Sequence, residues 1–430
     1  MKLLFVLSSA ILMVVSRFGV QAAEPADLEM VQSVSIPDLR GVCGVTISGD
    51  GKFLYTAAYQ ADAICIFTRD LQTGQLTLAD TLQGEIAVQS ICLRLSTDEK
   101  YAAVAQNAAR KVSVFKRDPV TGKLTKAAEF SGATVGAGGL RSPIEAKLSL
   151  DNRFLYVATS PGVAVFSFNG DQLEFVQSEE ADGKLNGVRG FAFSPDGHWL
   201  YAAAFESGTL GGFRRDEATG KLEQTQLLSN GENGVNALRG AFRVALSADG
   251  KNVYVSAGRF IGDQAISVFS VESDGSLKVL QEFVNGTDDF TEFEGGNEIN
   301  VSPDGKSVCA VTSVSDRLFR FARDPKTGKL TFITSQQEGT FAQPGAAGLC
   351  FSPDGKFVYV ADEGEGAVEA YKLKEEGRRK KSGALRKRRR VGKEGERRRA
   401  VPALFMSLCH TVEGRLAFGP FFLLPSAFLL

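Results

Sequence analysis

"SPDGKFVYVAD", residues 352–362, is the last of a series of related phrases, and the fold follows from what the series spells out. Aligned on the opening Ser, the copies are "SGDGKFLY" at Ser48, "STDEKYAA" at Ser96, "SLDNRFLY" at Ser149 and "SPDGHWLY" at Ser194. They continue as "SADGKNVY" at Ser247, "SPDGKSVC" at Ser302 and "SPDGKFVY" at Ser352. The successive intervals are 48, 53, 45, 53, 55 and 50 residues. A period near fifty lies in the range of propeller blades.

Each unit reads as four strands. A short apolar segment such as "GFAFS" or "RVALS" precedes the Ser. The D-G-K step is a tight turn, because Asp bonds its own backbone and Gly accepts positive φ. Alternating runs follow ("FLYTAAY", "NVYVSAG"), then "AICIFTRD" or "KVSVFKRD", then a Gly hairpin such as "RDPVTGKLTKAAEF". The period-2 alternation is that of strands, and no long amphipathic helix interrupts it. The predicted fold is all-β, a seven-bladed propeller of four-stranded antiparallel blades over residues 28–373. The seventh unit stops after "AVEAYKLKEEG", one strand short, while "LEMVQSVSI" (Leu28 to Ile36) stands alone before the first. Pairing the two closes the ring and hides two sheet edges.

The ends of the chain differ from the middle. Lys2, the apolar run Leu3 to Val15 and "VQA" (residues 20–22) read as a secretory signal peptide over residues 1–22, which implies a secreted or periplasmic protein. From Lys374 to Leu430 there are 15 Lys/Arg and 5 Asp/Glu, a net of +10. The first 22 residues add +2, so the overall −1 leaves −13 on the body. An acidic body repels phosphates, and no nucleic-acid partner is expected. The tail, 374–430, reads as a disordered extension or a misassigned reading frame. A basic arm that binds anionic surfaces or folds back on the body is the alternative, and only through this segment is membrane association open; a spanning anchor is least expected, because the apolar end is broken by two prolines and falls short of the ~20 residues of a spanning helix. The cysteines have no metal-type spacing, and buried thiols are the expectation.

The first strand of each blade lines the central channel, so the residues two and four before each phrase Ser are candidates for chemistry. They include Arg94, Cys92, Lys147, Glu145, Arg243, Asn300 and Glu298, with Arg189 five before Ser194. Such charges can bind an acidic ligand or polarise a carbonyl; alternatively they neutralise one another. The near absence of His, with only His198 and His410, removes His-based catalysis and most transition-metal sites. In the loop "NGTDDFTEFEGG", Asp288, Asp289, Glu292 and Glu294 are candidate Ca²⁺ ligands, but they miss the EF-hand register and a solvated acidic loop is expected. No cofactor fingerprint is present.

The "SPDGKxVYV…VFxRDPxTGKLT" pattern resembles the lactonase-like seven-bladed propellers, which include 6-phosphogluconolactonases, carboxymuconate cyclases and YVTN-type repeat proteins. The resemblance puts Glu298 of "GGNEINVSPDGK" on the family's active-site Glu and Arg189 of "GVRGFAFSPDG" on its Arg. The histidines it would imply are Gly190 and Asn300 here, and a whole blade separates Arg189 from Glu298. The expected function is a secreted binding or scaffold module, taking a small acidic or carbohydrate-derived ligand or a protein partner at one funnel face. The alternative is a lactone hydrolase in which Arg189 and Arg243 hold the substrate's acidic group and Glu298 is acid or base, with Arg94, Glu145, Lys147 and Asn300 as ligand-binding residues.

Overall fold

The repeated phrase builds its own turn. Ser352 Oγ donates to Asp354 Oδ1 at 2.5 Å and accepts the Phe357 N–H at 2.9 Å, while Asp354 Oδ1 accepts the Lys356 N–H at 3.1 Å. Ser48, Asp50, Lys52 and Phe53 repeat these bonds in the first copy. Gly355 (φ +67°) and Gly51 (φ +72°) supply the left-handed residue that such a turn needs. In this computed structural model, residues 27–132, 140–287, 290–337 and 345–374 are described. The expected signal peptide and the tail beyond Lys374 lie outside them.

The turns join strands into seven four-stranded antiparallel sheets. Six sheets are built from consecutive strands, with inner strands at Val42–Ile47, Ser90–Leu95, Glu145–Leu148, Val188–Phe193, Ala241–Leu246 and Gly296–Val301, numbered here as blades one to six. Blade seven takes Ala346–Phe351, Phe357–Asp362 and Ala367–Leu373 from the end of the chain and Leu28–Ser35 from its beginning. The two chain ends pair antiparallel from Leu28 with Leu373 to Ser35 with Ala367. The ring closes as the sequence predicts.

A blade has two apolar faces and no solvent side, so its second strands are almost wholly buried, and Phe53–Ala58 and Phe357–Asp362 are buried throughout. Seven hydrophobic clusters result, one at each interface between neighbouring blades. Burial of this apolar surface is the main force holding the ring.

A polar latch crosses most interfaces and explains why Tyr, Arg and the hairpin Gly recur from unit to unit. Tyr55 of blade one donates its hydroxyl to the Gly122 carbonyl of blade two at 2.9 Å and accepts Arg117 Nε of the same blade at 2.7 Å. Tyr156, Arg215 and Gly220 repeat it between blades three and four, and Tyr254, Arg323 and Gly328 between five and six. Tyr359 of blade seven donates to Gly74 of blade one at 2.8 Å and accepts from Arg69, so the same device seals the ring. Gly122 has φ +73°, and a Cβ there would stand 2.4 Å from Phe53, so both its backbone and its packing exclude a side chain.

Removing the Tyr359 hydroxyl leaves the buried Arg69 Nε–H without its acceptor, while Nη1 keeps the Gly51 carbonyl. Tyr359→Phe is therefore expected to destabilise the protein by about 1–3 kcal/mol. Tyr201→Phe, which loses only its bond to Gly275, is expected to cost less. Thermal unfolding of the two variants side by side checks the order.

Candidate functional site

The inner strands of six blades carry an irregularity in register near the channel, for example between Val188 and Gly190 and between Ala241 and Arg243. Only blade three lacks it among the inner pairs. A bulge of this kind re-aims side chains. It frees Arg189 and Phe242 from strict alternation and turns them toward the channel mouth.

Five charged side chains meet in the channel. Arg94 of blade two bonds Glu145 of blade three at 3.0 Å and Glu298 of blade six at 3.1 Å. Arg243 of blade five lies 3.4 Å from Glu298 and 3.9 Å from Glu145. Lys147 sits 3.2 Å from Glu145. Contacts between blades two and six, or three and five, can only be made across the axis. Three cations and two carboxylates leave one positive charge in excess.

The same side chains satisfy the exposed edge of the inner strands. Arg94 donates to the Val45 carbonyl at 3.3 Å, Asn300 to that of Leu349 at 2.7 Å, and Lys147 and Arg243 to those of Phe191 and Arg189. Glu145 accepts the Phe191 N–H at 3.1 Å. Burial alone would raise the Glu145 pKa, but Lys147, Arg94 and Arg243 hold it down at about 2. Burial alone would lower the Arg94 pKa, and the neighbouring acidic groups, Glu298 and Glu145 among them, raise it above its ordinary value. The channel cysteines go the other way: burial raises Cys92 and Cys43 and pushes Cys350 up to about 12. They are thiols at neutral pH and poor nucleophiles.

A second layer lies over the mouth. Arg259 of blade five reaches Glu363 of blade seven at 2.6 Å, and Tyr59 of blade one donates to the same carboxylate at 2.8 Å. Arg189 pairs with Glu206 at 2.6 Å. Phe205, Phe242 and Phe260 stand edge to face with centroids 5.8–6.2 Å apart. Arg189, Arg243 and Arg259 each lie over one of these rings, at 5.6, 5.3 and 5.0 Å. The Nε atoms of all three arginines are buried and make no aligned hydrogen bond among the described residues.

The structure thus gathers Arg94, Glu145, Lys147, Arg243 and Glu298, with Asn300 directed to the adjacent strand and Arg189 one layer above, engaged by Glu206. Sequence reasoning missed Arg259, Glu363, Tyr59 and the phenylalanines. A signal for part of this set was available: Tyr59, Phe205 and Glu363 each lie eleven residues after a phrase Ser. Of the acidic loop, Glu292 pairs with Arg317 at 2.8 Å and Glu294 is exposed, while Asp288 and Asp289 lie outside the described residues. Cys65, Cys92 and Cys309 are buried and Cys43 and Cys350 half-buried.

Ring, blade structure and charged channel together define a seven-bladed propeller with a polar axial site. The family model described as lactonase, seven-bladed β-propeller, matches residues 14–138, 134–238, 222–340 and 262–393. The chain belongs to this family. Among solved structures it is similar to the periplasmic gluconolactonase of Pseudomonas aeruginosa, at 22% identity and TM-score 0.57 over 69% of this chain and 85% of that one. A candidate 6-phosphogluconolactonase from Bacteroides uniformis gives 23% identity and TM-score 0.56 over 68% and 84% of the two chains. The hydrazine synthase of Kuenenia stuttgartiensis reaches TM-score 0.57 at 18% identity over 78% and 96%, so likeness at this level speaks for the fold alone. No curated protein matches the chain.

Glu145 contributes stability through its depressed pKa, fully present above its unfolded value near 4.5 and lost as pH falls toward about 2. Glu145→Gln leaves three cations short of a partner and is expected to cost about 3–5 kcal/mol at pH 7. Melting curves should show the gap between variant and wild type closing as pH falls through that window.

Proposed function

We propose that this chain is a lactone hydrolase acting on an acidic sugar lactone, with the site at the Arg-lined end of the channel. One observation carries the reading: among the described residues the buried Nε–H donors of Arg189 and Arg259 have no acceptor, and that of Arg243 has only an unaligned contact with Glu298 at 3.4 Å. Buried donors are nearly always paired, and a carboxylate or phosphate is the acceptor best matched to clustered guanidiniums. Family membership supports the same reaction class.

In the reaction, Glu298 takes a proton from water as the oxygen adds to the lactone carbonyl carbon. Arg243 and Arg94, within 3.4 and 3.1 Å of that carboxylate, stabilise the negative charge that develops on the carbonyl oxygen. The ring C–O bond then breaks, and the departing oxygen takes the proton back from Glu298, giving the hydroxy acid. With no His at the site, a carboxylate is the base that the channel offers. Arg189 and Arg259 would hold the acidic group of the substrate above it. The signal-like N-terminus supports an exported protein, so the substrate would be met outside the cytoplasm.

A binding module without turnover is the second reading, favoured by the mutual pairing of the channel charges and by the exposed Phe260 and Ile261 at 63% and 71%. Turnover separates the two. The full chain is expected to open 6-phosphogluconolactone or a related sugar-acid lactone faster than buffer, and Glu298→Gln to lower kcat roughly 10²–10⁴-fold. Arg189→Met should raise KM with a smaller change in kcat. Thermal stabilisation by sugar acids with no turnover of any lactone would favour the binding module.

A further inference from the structure

We infer that Asp316, Asp362, Glu365 and Glu369 form a Ca²⁺ site in the interface between blades six and seven, away from the channel cluster. Asp362 ends the second strand of blade seven and Glu369 lies in its third strand, both with the parity of the residues that face blade six. Glu365 occupies the turn between those strands, and Asp316 the corresponding turn of blade six. Asp362, Glu365 and Glu369 each bring a carboxylate oxygen within 4.8 Å of the others. That span suits oxygens sharing one Ca²⁺, whose Ca–O distances are about 2.3–2.6 Å.

The burial of these groups carries the argument. Asp362 is 0% exposed, Asp316 2% and Glu369 1%. Each aspartate spends one oxygen on the backbone. Asp362 Oδ1 accepts the Glu365 N–H at 3.0 Å, and Asp316 Oδ1 accepts those of Gly345 and Ala346 at 3.3 Å. The second oxygen of each, Oδ2, is buried and has no hydrogen-bond partner among the described residues. Among the described residues neither aspartate forms an ion pair with Lys or Arg. Their electrostatic neighbours are acidic: Asp316, Glu369 and Glu365 around Asp362, and Glu365 beside Asp316. Carboxylates packed together away from water need a countercharge, and a hard divalent cation supplies it through oxygen ligands alone. The site is distinct from the acidic loop, where Glu292 already has Arg317.

The test is thermal unfolding of the full chain at pH 7.5, first in EDTA and then with 1 mM CaCl₂ or MgCl₂ in its place. Ca²⁺ is expected to raise Tm by roughly 2–5 °C and Mg²⁺ by less, because Mg²⁺ demands a smaller octahedral shell. Asp362→Asn, nearly isosteric and relieved of one buried charge, should fold with an undiminished Tm in EDTA and lose the Ca²⁺ response. Asp316→Asn should weaken it. The double substitution Glu292→Gln, Glu294→Gln should keep it, and equilibrium dialysis should find one Ca²⁺ per chain that Asp362→Asn abolishes. The inference is overturned if Ca²⁺ leaves Tm unchanged, or if Asp362→Asn keeps the response while the loop variant loses it. It is overturned equally if the wild type in EDTA gains its stability only as pH falls from 7 toward 4, since protons then supply what the cation was inferred to supply.

Discussion

Every other feature of this molecule rests on the contact by which one blade grips the next. Apolar burial draws the sheets together but does not fix how far one slides on another, because it has no direction. The latch does. A Tyr hydroxyl from one blade enters the hairpin of the following blade, meets a Gly carbonyl and an Arg Nε, and lets the Arg lie over the aromatic ring, as with Arg117 at 5.8 Å from the Tyr55 centroid. Each Tyr sits seven residues after a phrase Ser, so the turn that starts a strand also sets the depth at which its hydroxyl enters the neighbour. Where Tyr is replaced, by Ala103 in blade two and Cys309 in blade six, the interface is held by apolar packing without it. The blade-six interface is also the one where carboxylates crowd.

A ring fixed at its circumference determines what fits at its centre. The seven residues four before the phrase Ser are Gly44, Cys92, Glu145, Gly190, Arg243, Glu298 and Gly348. Three are Gly because neighbouring inner strands come too close for a side chain. A Cβ on Gly348 would stand 2.6 Å from the Cys43 carbonyl, and one on Gly44 would stand 3.0 Å from that of Ile91. The space these glycines release is taken by Glu145, Arg243 and Glu298, with Arg94 reaching between the two carboxylates. Charge is tolerated there because each group is paired and also serves an unpaired strand edge.

The fold was legible in the sequence because its information is local and repeated. Ser, Asp and Gly write a turn, alternation writes a strand, and seven copies with one strand displaced to the front write a closed ring. The channel residues were legible for the same reason, since position relative to the phrase Ser fixes which side chains point inward. Arg189 shows where that logic stops. At five before its Ser it should face a neighbouring blade, and only the irregularity between Val188 and Gly190 turns it to the mouth. Arg259 and Glu363 were hidden for a different cause: their partnership joins blades five and seven, 104 residues apart, and no local pattern encodes it. The carboxylates of Asp316 and Asp362 likewise belong to separate blades and meet only once the sheets are stacked.

The two departures from the resembling family can now be read as one change. The resemblance would set a His at Gly190, in blade four. A Cβ at that position would lie 3.0 Å from Arg243 Cδ and 3.0 Å from the Phe242 carbonyl. The ground a larger side chain would need is occupied by Arg243 from the next blade, whose guanidinium bonds the Arg189 carbonyl beside it. Asn300, where the second His would stand, instead ties the inner strand of blade six to that of blade seven at 2.7 Å. Where the resemblance would set imidazoles, this chain has a permanently charged guanidinium from the next blade at one point and a neutral tether at the other. With Gly190 and Asn300 at these positions, the channel cannot pass protons through His near neutral pH. In the proposed reaction the base is Glu298, and Arg243 lies 3.4 Å from it, so the two act as one unit contributed by adjacent blades.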